Sequence, residues 1–313
     1  MTRKIIIDCD PGIDDAVALT AALFDPRLNV LAITATAGTV SAEQATANVD
    51  AIVAAIDPPR LPRIGKATTP EEPAYSGDKM LNGSHGLGDF VASNSARHHV
   101  HTSEKVIAEL LRQSPGEVTL VCLGPLTNLA RLCQRDPSVI PLINQVVISG
   151  GAYRVPGNAS AVAEYNLHFD PASADEVFAS PTTKSLVPLD ISDQINFGVD
   201  LIEQLPSKFT KAGQFLHQIL PFAFRAAHRQ LGRELISLVD ATTIAAVVEP
   251  ELFHWTEMAG RVETKGELTS GMSVFDCRLR PEWNENMEVA VGGDIEAIRE
   301  LVLRGLRYAG QQS

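Results

Sequence analysis

The 313-residue chain is poor in several features that mark broad protein classes. Cysteine is scarce: Cys9, Cys122, Cys133 and Cys277 are the only four, and no two form a CxxC pair. That leaves no basis for a disulfide framework. Cys9 and Cys122 fall inside apolar, strand-like runs, where buried, reduced thiols are expected. Positive charge is outnumbered, with 26 Lys and Arg against 38 Asp and Glu and a net charge of −12. Such a balance disfavours nucleic acid or an anionic membrane as the main partner. No apolar run approaches the roughly 20 residues needed to span a bilayer. Three isoleucines after Lys4, interrupted by Asp8, are too short for the apolar stretch of a signal peptide. The expectation is a cytoplasmic protein.

What the chain does contain is ordinary core material, with 45% hydrophobic and 20% charged residues. Its length suggests one large domain or two small ones, and it holds no internal repeat or low-complexity tract. Strand-length apolar runs alternate with helical patterns. KIIIDC precedes a helix over about 14–24, and VLAITATAG precedes one over 41–56. EVTLVCLG leads to a helix around PLTNLARLC, INQVVISGG follows, and helical PASADEVFA precedes TKSLVPLD. This βαβα order predicts an open, mainly parallel α/β sheet with helices on both faces, Rossmann-like in layout. Further helices are expected over 208–235, 240–248 and about 294–307. Residues 251–291 read as an extra β-rich segment near the C-terminus, with GELTSGMSVFDCR as a hairpin.

Ligands of such sheets bind beyond the carboxyl ends of the strands. The unusual residues fall there: Asp8 and Asp10, Gly38-Thr39, Leu123-Gly124, Gly150-Gly151 and Asp190. The Pro-, Gly-, Ser- and His-rich stretch 58–103 is long for a connection and reads as a functional loop or lid.

The densest signal is IIIDCDPGIDDAVAL, which places Asp8, Asp10, Asp14 and Asp15 at one strand-to-helix turn. One aspartate there is a helix cap. Four repel one another unless a cation or hydrogen-bond donors offset the charge. All-oxygen ligation suits Ca²⁺ or Mg²⁺ better than zinc. The spacing is not that of an EF-hand, and no P-loop is present.

DCDPGIDDA is similar to the D-x-D-x-G-x-D-D signature of the inosine-uridine preferring nucleoside hydrolase family. LGPLTNLA (123–130), GGAYRVPGNASAVAEYNLHFDP (150–171), LVPLD (186–190) and GELTSGMSVFDCR (267–279) resemble further family segments, in the same order. The resemblance implies the nucleoside hydrolase fold as a single domain over 1–313, a ribonucleoside substrate and one Ca²⁺. It implies Asp10, Asp15, the carbonyl of Leu123, and Asp240 as ligands of that ion. Read on its own, Asp240 is a helix N-cap. Asp10 would be the general base toward a metal-bound water, which attacks directly with inversion. Asp14 would hold the ribose 2′-hydroxyl, and Asn158, Glu164 and Asn166 the remaining hydroxyls. Asp8 and Asp190 are read as supports of the site. Related proteins are commonly dimers or tetramers, so a homodimer or homotetramer is expected.

The chain departs from the family pattern where the base leaves. Val239 and Asn82 stand at positions where many members carry histidine, and Thr39 stands where asparagine is common. Base-side candidates are therefore Asn82, His85, Phe224, His228 and Val239; no stacking pair of aromatic rings can be picked out. A ribose-binding member with lost or altered turnover is the alternative. A more remote one is a haloacid dehalogenase-like phosphatase, with Asp8 as nucleophile and Asp10 as acid. The His98, His99 and His101 tract, without a neighbouring carboxylate in sequence, reads as a surface loop, and Arg225 with Arg229 as a solvated helix face.

Overall fold

A computed structural model describes residues 2–69, 79–92 and 99–312 of the chain. The isoleucine run becomes a strand because β-branched side chains suit a pleat covered on both sides. In that strand, β1 (Arg3–Cys9), the two-residue period sends Ile5, Ile7 and Cys9 into one core and Ile6 into the other. The same alternation decides the fate of the two nearby acids. Asp8 points with Ile6 toward the helix Thr127–Arg135, where Asn128 meets it. Asp10 lies past the strand end, above the sheet.

β2 (Leu28–Ala35), β3 (Arg63–Gly65), β4 (Val118–Cys122), β5 (Ile143–Ser149) and β6 (Lys184–Val187) extend the sheet, every pair parallel. β7 (Asn196–Phe197) and β8 (Ile236–Ser237) form a separate short antiparallel ribbon. β9 (Phe253–Met258), β10 (Gly260–Val262), β11 (Ser273–Phe275) and β12 (Met287–Gly293) come last. The main sheet runs β3-β2-β1-β4-β5-β6-β12-β9, with only the edge strand β9 antiparallel. Helices Ile13–Phe24, Ala42–Ile56, Lys211–Ala226, Val239–Val248 and Ile295–Gln312 cover one face. Helices Ser103–Gln113, Thr127–Arg135 and Pro171–Ala179 cover the other. This is the expected α/β layout.

Four local expectations are corrected. The β-rich end is not one appendage, since β9 and β12 complete the main sheet and only β10 and β11 stand apart. Within GELTSGMSVFDCR only Ser273–Phe275 is strand. Its first half is a turn, drawn in by Glu263, whose Oε1 accepts from the N–H groups of Lys265 at 2.7 Å and Gly266 at 3.1 Å. Asp190 does not close a strand. β6 stops at Val187 before Pro188, which has no N–H to donate, and Asp190 lies in the short helix Leu189–Ser192. The expected helix over 208–235 ends earlier, at Ala226, in a wide turn over Ala227–Leu231 that Gly232 terminates at φ 63°.

Of the expected loop or lid over 58–103, residues 70–78 and 93–98 lie outside the described residues, His98 among them. His99 does have a carboxylate partner, remote in sequence: its Nε2 lies 2.8 Å from both oxygens of Asp50. All four cysteines are free thiols, with Cys9 and Cys122 buried. Among the described residues no helix is long and apolar enough to cross a membrane.

Candidate active site

The turn between β1 and the helix Ile13–Phe24 is built by exchange of hydrogen bonds. Asp15 Oδ2 accepts from Gly12 N at 2.9 Å, and Asn82 Oδ1 accepts from Ile13 N at 3.0 Å. Two exposed amides of the helix start are thereby satisfied. Asn48, from the helix Ala42–Ile56, donates to the carbonyls of Pro11 at 2.9 Å and His85 at 2.7 Å. It ties the aspartate turn to the 83–88 loop.

Asp10 is held by close backbone approach. Its Oδ2 accepts from Thr39 N at 2.6 Å. A Cβ on Gly38 would lie 2.0 Å from that same oxygen, and one on Gly124 would lie 2.4 Å from Oδ1. Glycine at both positions lets the chain close around the carboxylate. The glycines after β2 and β4 are thus explained by what they surround.

The other acids follow one pattern: one oxygen is used by the scaffold and the second is left over. Asp14 Oδ2 accepts from Asp240 N at 3.2 Å, while its buried Oδ1 has no partner among the described residues. Asp15 Oδ1 is likewise buried without a partner. Asp240 Oδ1 accepts from Ser149 Oγ at 3.0 Å. Burial raises the pKa of every one of these groups. It lifts Asp14 to about 7 and Asp15 to about 6, and Asp10 and Asp240 well above the carboxylate range, with the charge of Asp15 adding to both of the latter. Acids in this condition demand either protons or a cation.

These four side chains line one cavity of about 610 Å³ beyond the strand ends. Asn158, Glu164, Asn166 and Leu123 line it too. Glu164 caps the short helix Tyr165–Phe169, accepting from the N–H groups of Asn166 and Leu167, and from Gly151 N at 3.0 Å. Asn158 Oδ1 accepts from Tyr165 N at 2.8 Å, which leaves its NH₂ group for a ligand. Asn166 donates to the carbonyls of Leu123 at 2.7 Å and Ser149 at 3.1 Å, which leaves its Oδ1 to accept. A donor and an acceptor so offered suit hydroxyl groups, which need both. Asp190 accepts from the N–H groups of Tyr153 and Arg154, both at 2.7 Å, and fixes the loop after β5.

Asp8 stays outside the cavity lining. Its Oδ1 accepts from Thr34 Oγ1 at 2.5 Å and Asn128 Nδ2 at 2.8 Å, and burial raises its pKa to about 7. Of the base-side candidates, Asn82 and Val239 line the cavity. His85 and His228 do not: both are exposed, and His228 Nδ1 lies 2.9 Å from Glu234 Oε1. Phe224 faces the core from the helix Lys211–Ala226. Arg225 pairs with Asp89 and lies over the Phe222 ring.

Sequence reasoning missed a further stretch of the lining, made by Leu231, Arg233, Leu235 and Ile236, with Asp193. Leu231 and Leu235 are 52% and 49% exposed, so they are apolar side chains with no core to join. An apolar pair flanking one arginine just before Asp240 was the available signal.

Comparison with known proteins follows the same line. Residues 5–300 match the family described as "Inosine-uridine preferring nucleoside hydrolase". The chain is 32% identical to a protein of that name from Leishmania major, over 99% of each chain. It is 35% identical to a pyrimidine-specific ribonucleoside hydrolase RihA of Shewanella baltica (strain OS185), over 98% of this chain and 97% of the other. The solved structure of a purine-preferring ribonucleoside hydrolase from Gardnerella vaginalis superposes with a TM-score of 0.90 at 27% identity, covering 99% of this chain and 100% of that one. The chain belongs to the inosine-uridine preferring nucleoside hydrolase family, and is with it an N-glycosidase.

Proposed function

We propose that the protein is a calcium-dependent ribonucleoside hydrolase, releasing free base and ribose by direct attack of water. One observation carries the reading: buried, unpartnered carboxylate oxygens on Asp14 and Asp15 in a cavity that also holds a donor–acceptor sugar clamp. Among the described residues no three His, Cys, Asp or Glu side chains are grouped as a ready-made ion cage. The donor set nevertheless fits a hard divalent cation, because it is all oxygen and its acids repel one another. Asp10, Asp15, Asp240 and the Leu123 carbonyl would hold the ion. Bound there, calcium supplies Lewis acidity toward water and charge compensation for the acids.

The remaining work falls to the chain. Asp10, its carboxylate fixed by Thr39 N–H and the two glycines, accepts the proton of the attacking water. Asp14 accepts from the ribose 2′-hydroxyl through Oδ1. Asn158 and Asn166 take the other hydroxyls, and Glu164 holds that clamp in shape. Carboxylates arranged in advance favour the oxocarbenium-like charge that develops on the sugar. The phosphatase reading is set aside because Asp8 is buried toward Asn128, away from the cavity. We further read the protein as a cytoplasmic homodimer or homotetramer, the first part resting on its unpaired thiols.

Val239 on the base side favours the second reading, a member that binds nucleosides without turning them over. A panel of ribonucleosides assayed for free ribose with calcium present decides between them. Release that depends on Asp10 supports hydrolysis, and silence across the panel with a bound nucleoside supports the binding protein.

A further inference from the structure

Breaking a C1′–N bond leaves an electron pair on the base, so the departing group needs a proton or a positive charge nearby. His85 and His228 lie outside the cavity lining, and Val239 has nothing to donate. The lining carries six carboxylates, of Asp10, Asp14, Asp15, Glu164, Asp193 and Asp240, and among its described residues one cation, Arg233. Five of the six acids belong to the turn, the clamp and the Asp240 helix. Arg233 lines the same cavity, on a stretch of chain that brings Leu231, Leu235, Ile236 and Val239 to it as well.

Its placement is built into the chain. The wide turn Ala227–Leu231 and Gly232 at φ 63° reverse the backbone, and Arg233 N donates to Ala227 O at 3.2 Å. No described residue accepts a hydrogen bond from the guanidinium. Asp193, which feels its charge, shares the lining. An apolar wall with one forked, permanently charged donor is suited to a flat heterocycle bearing a carbonyl oxygen.

We propose that Arg233 is a catalytic residue for base departure and selects oxo-substituted bases. This rests on the hydrolytic reading given above. As the C1′–N bond breaks, its electron pair passes into the ring and onto the carbonyl oxygen, where Arg233 donates hydrogen bonds. Water forms the new C1′–O bond and gives its proton to Asp10. The base anion takes a proton from solvent on release, and Asp10 returns its own to solvent. No leaving-group acid is needed.

The test compares leaving groups. The wild type, Arg233→Gln and Arg233→Lys are assayed with calcium on inosine, uridine and p-nitrophenyl β-D-riboside, whose phenolate leaves without assistance. Arg233→Gln is expected to lower kcat/KM on the two nucleosides by about 10²-fold and on the phenyl riboside by less than about threefold. Arg233→Lys, which keeps charge but loses the fork, falls between. Equal losses on all three substrates, or no loss on the nucleosides, overturn the assignment. A wild type that cleaves only the phenyl riboside sustains the glycosidase and overturns the role of Arg233. A wild type that cleaves none refutes the hydrolytic reading, and Arg233 with it.

Discussion

At the scale of single residues, the aspartates of the site serve the fold with one oxygen and keep the other in reserve. That division separates two effects of mutation. Asp10→Asn keeps an oxygen for Thr39 N–H and removes the base. It is expected to cut kcat by about 10²–10⁴-fold with an unchanged far-UV spectrum. Survival of full activity would remove Asp10 from the chemistry. Gly38→Ala does the reverse, adding one methyl 2.0 Å from Asp10 Oδ2. It is expected to destabilise the fold by about 1–3 kcal/mol in urea titrations, with activity lost alongside. The aspartates were readable because four stand within eight positions. Thr34 and Asn128 were not, because each is an ordinary residue that gains meaning only through Asp8, a partner far along the chain. Asp8, read as a support and not a ligand, is turned by strand alternation to the other face, where Thr34 and Asn128 hold it.

At the scale of elements, the alternation of strand and helix was legible from apolar run lengths, since parallel strands covered on both faces leave little freedom of pattern. Ends were less so. Pro188 stopped β6 where apolar residues suggested continuation, and Glu263 curled half of an expected hairpin into a turn. Both outcomes depend on a missing or captured N–H, which hydrophobicity does not report. The clamp between elements is Asn48, whose side-chain amide serves two carbonyls of different loops. Asn48→Ala leaves both carbonyls buried or half-buried without that donor. A loss of about 1–3 kcal/mol in chemical denaturation is expected, with a raised KM because the aspartate turn loosens. An unchanged KM would show that the turn keeps its shape without this tie.

At the scale of the whole molecule, the acids give metal-free protein an unusual pH profile. Burial lifts Asp14 to about 7 and Asp15 to about 6, from 3.8. Across that window the folded state binds more protons than the unfolded chain, so stability declines as pH rises. An ordinary ion-paired carboxylate gives the opposite sign. Chelator-treated protein should therefore show a lower Tm at pH 8 than at pH 5, and calcium should raise Tm more at pH 8 than at pH 5. A Tm that climbs with pH in the absence of metal would contradict this. The hydrogen bond from Asp240 N to Asp14 joins residues 226 positions apart. During synthesis, then, a ribosome that has made the first three quarters of the chain has made a turn full of acids with nothing to complete it. A chain stopped before Asp240 is therefore expected to show no glycosidase activity, which a ribose-release assay of a truncated variant checks.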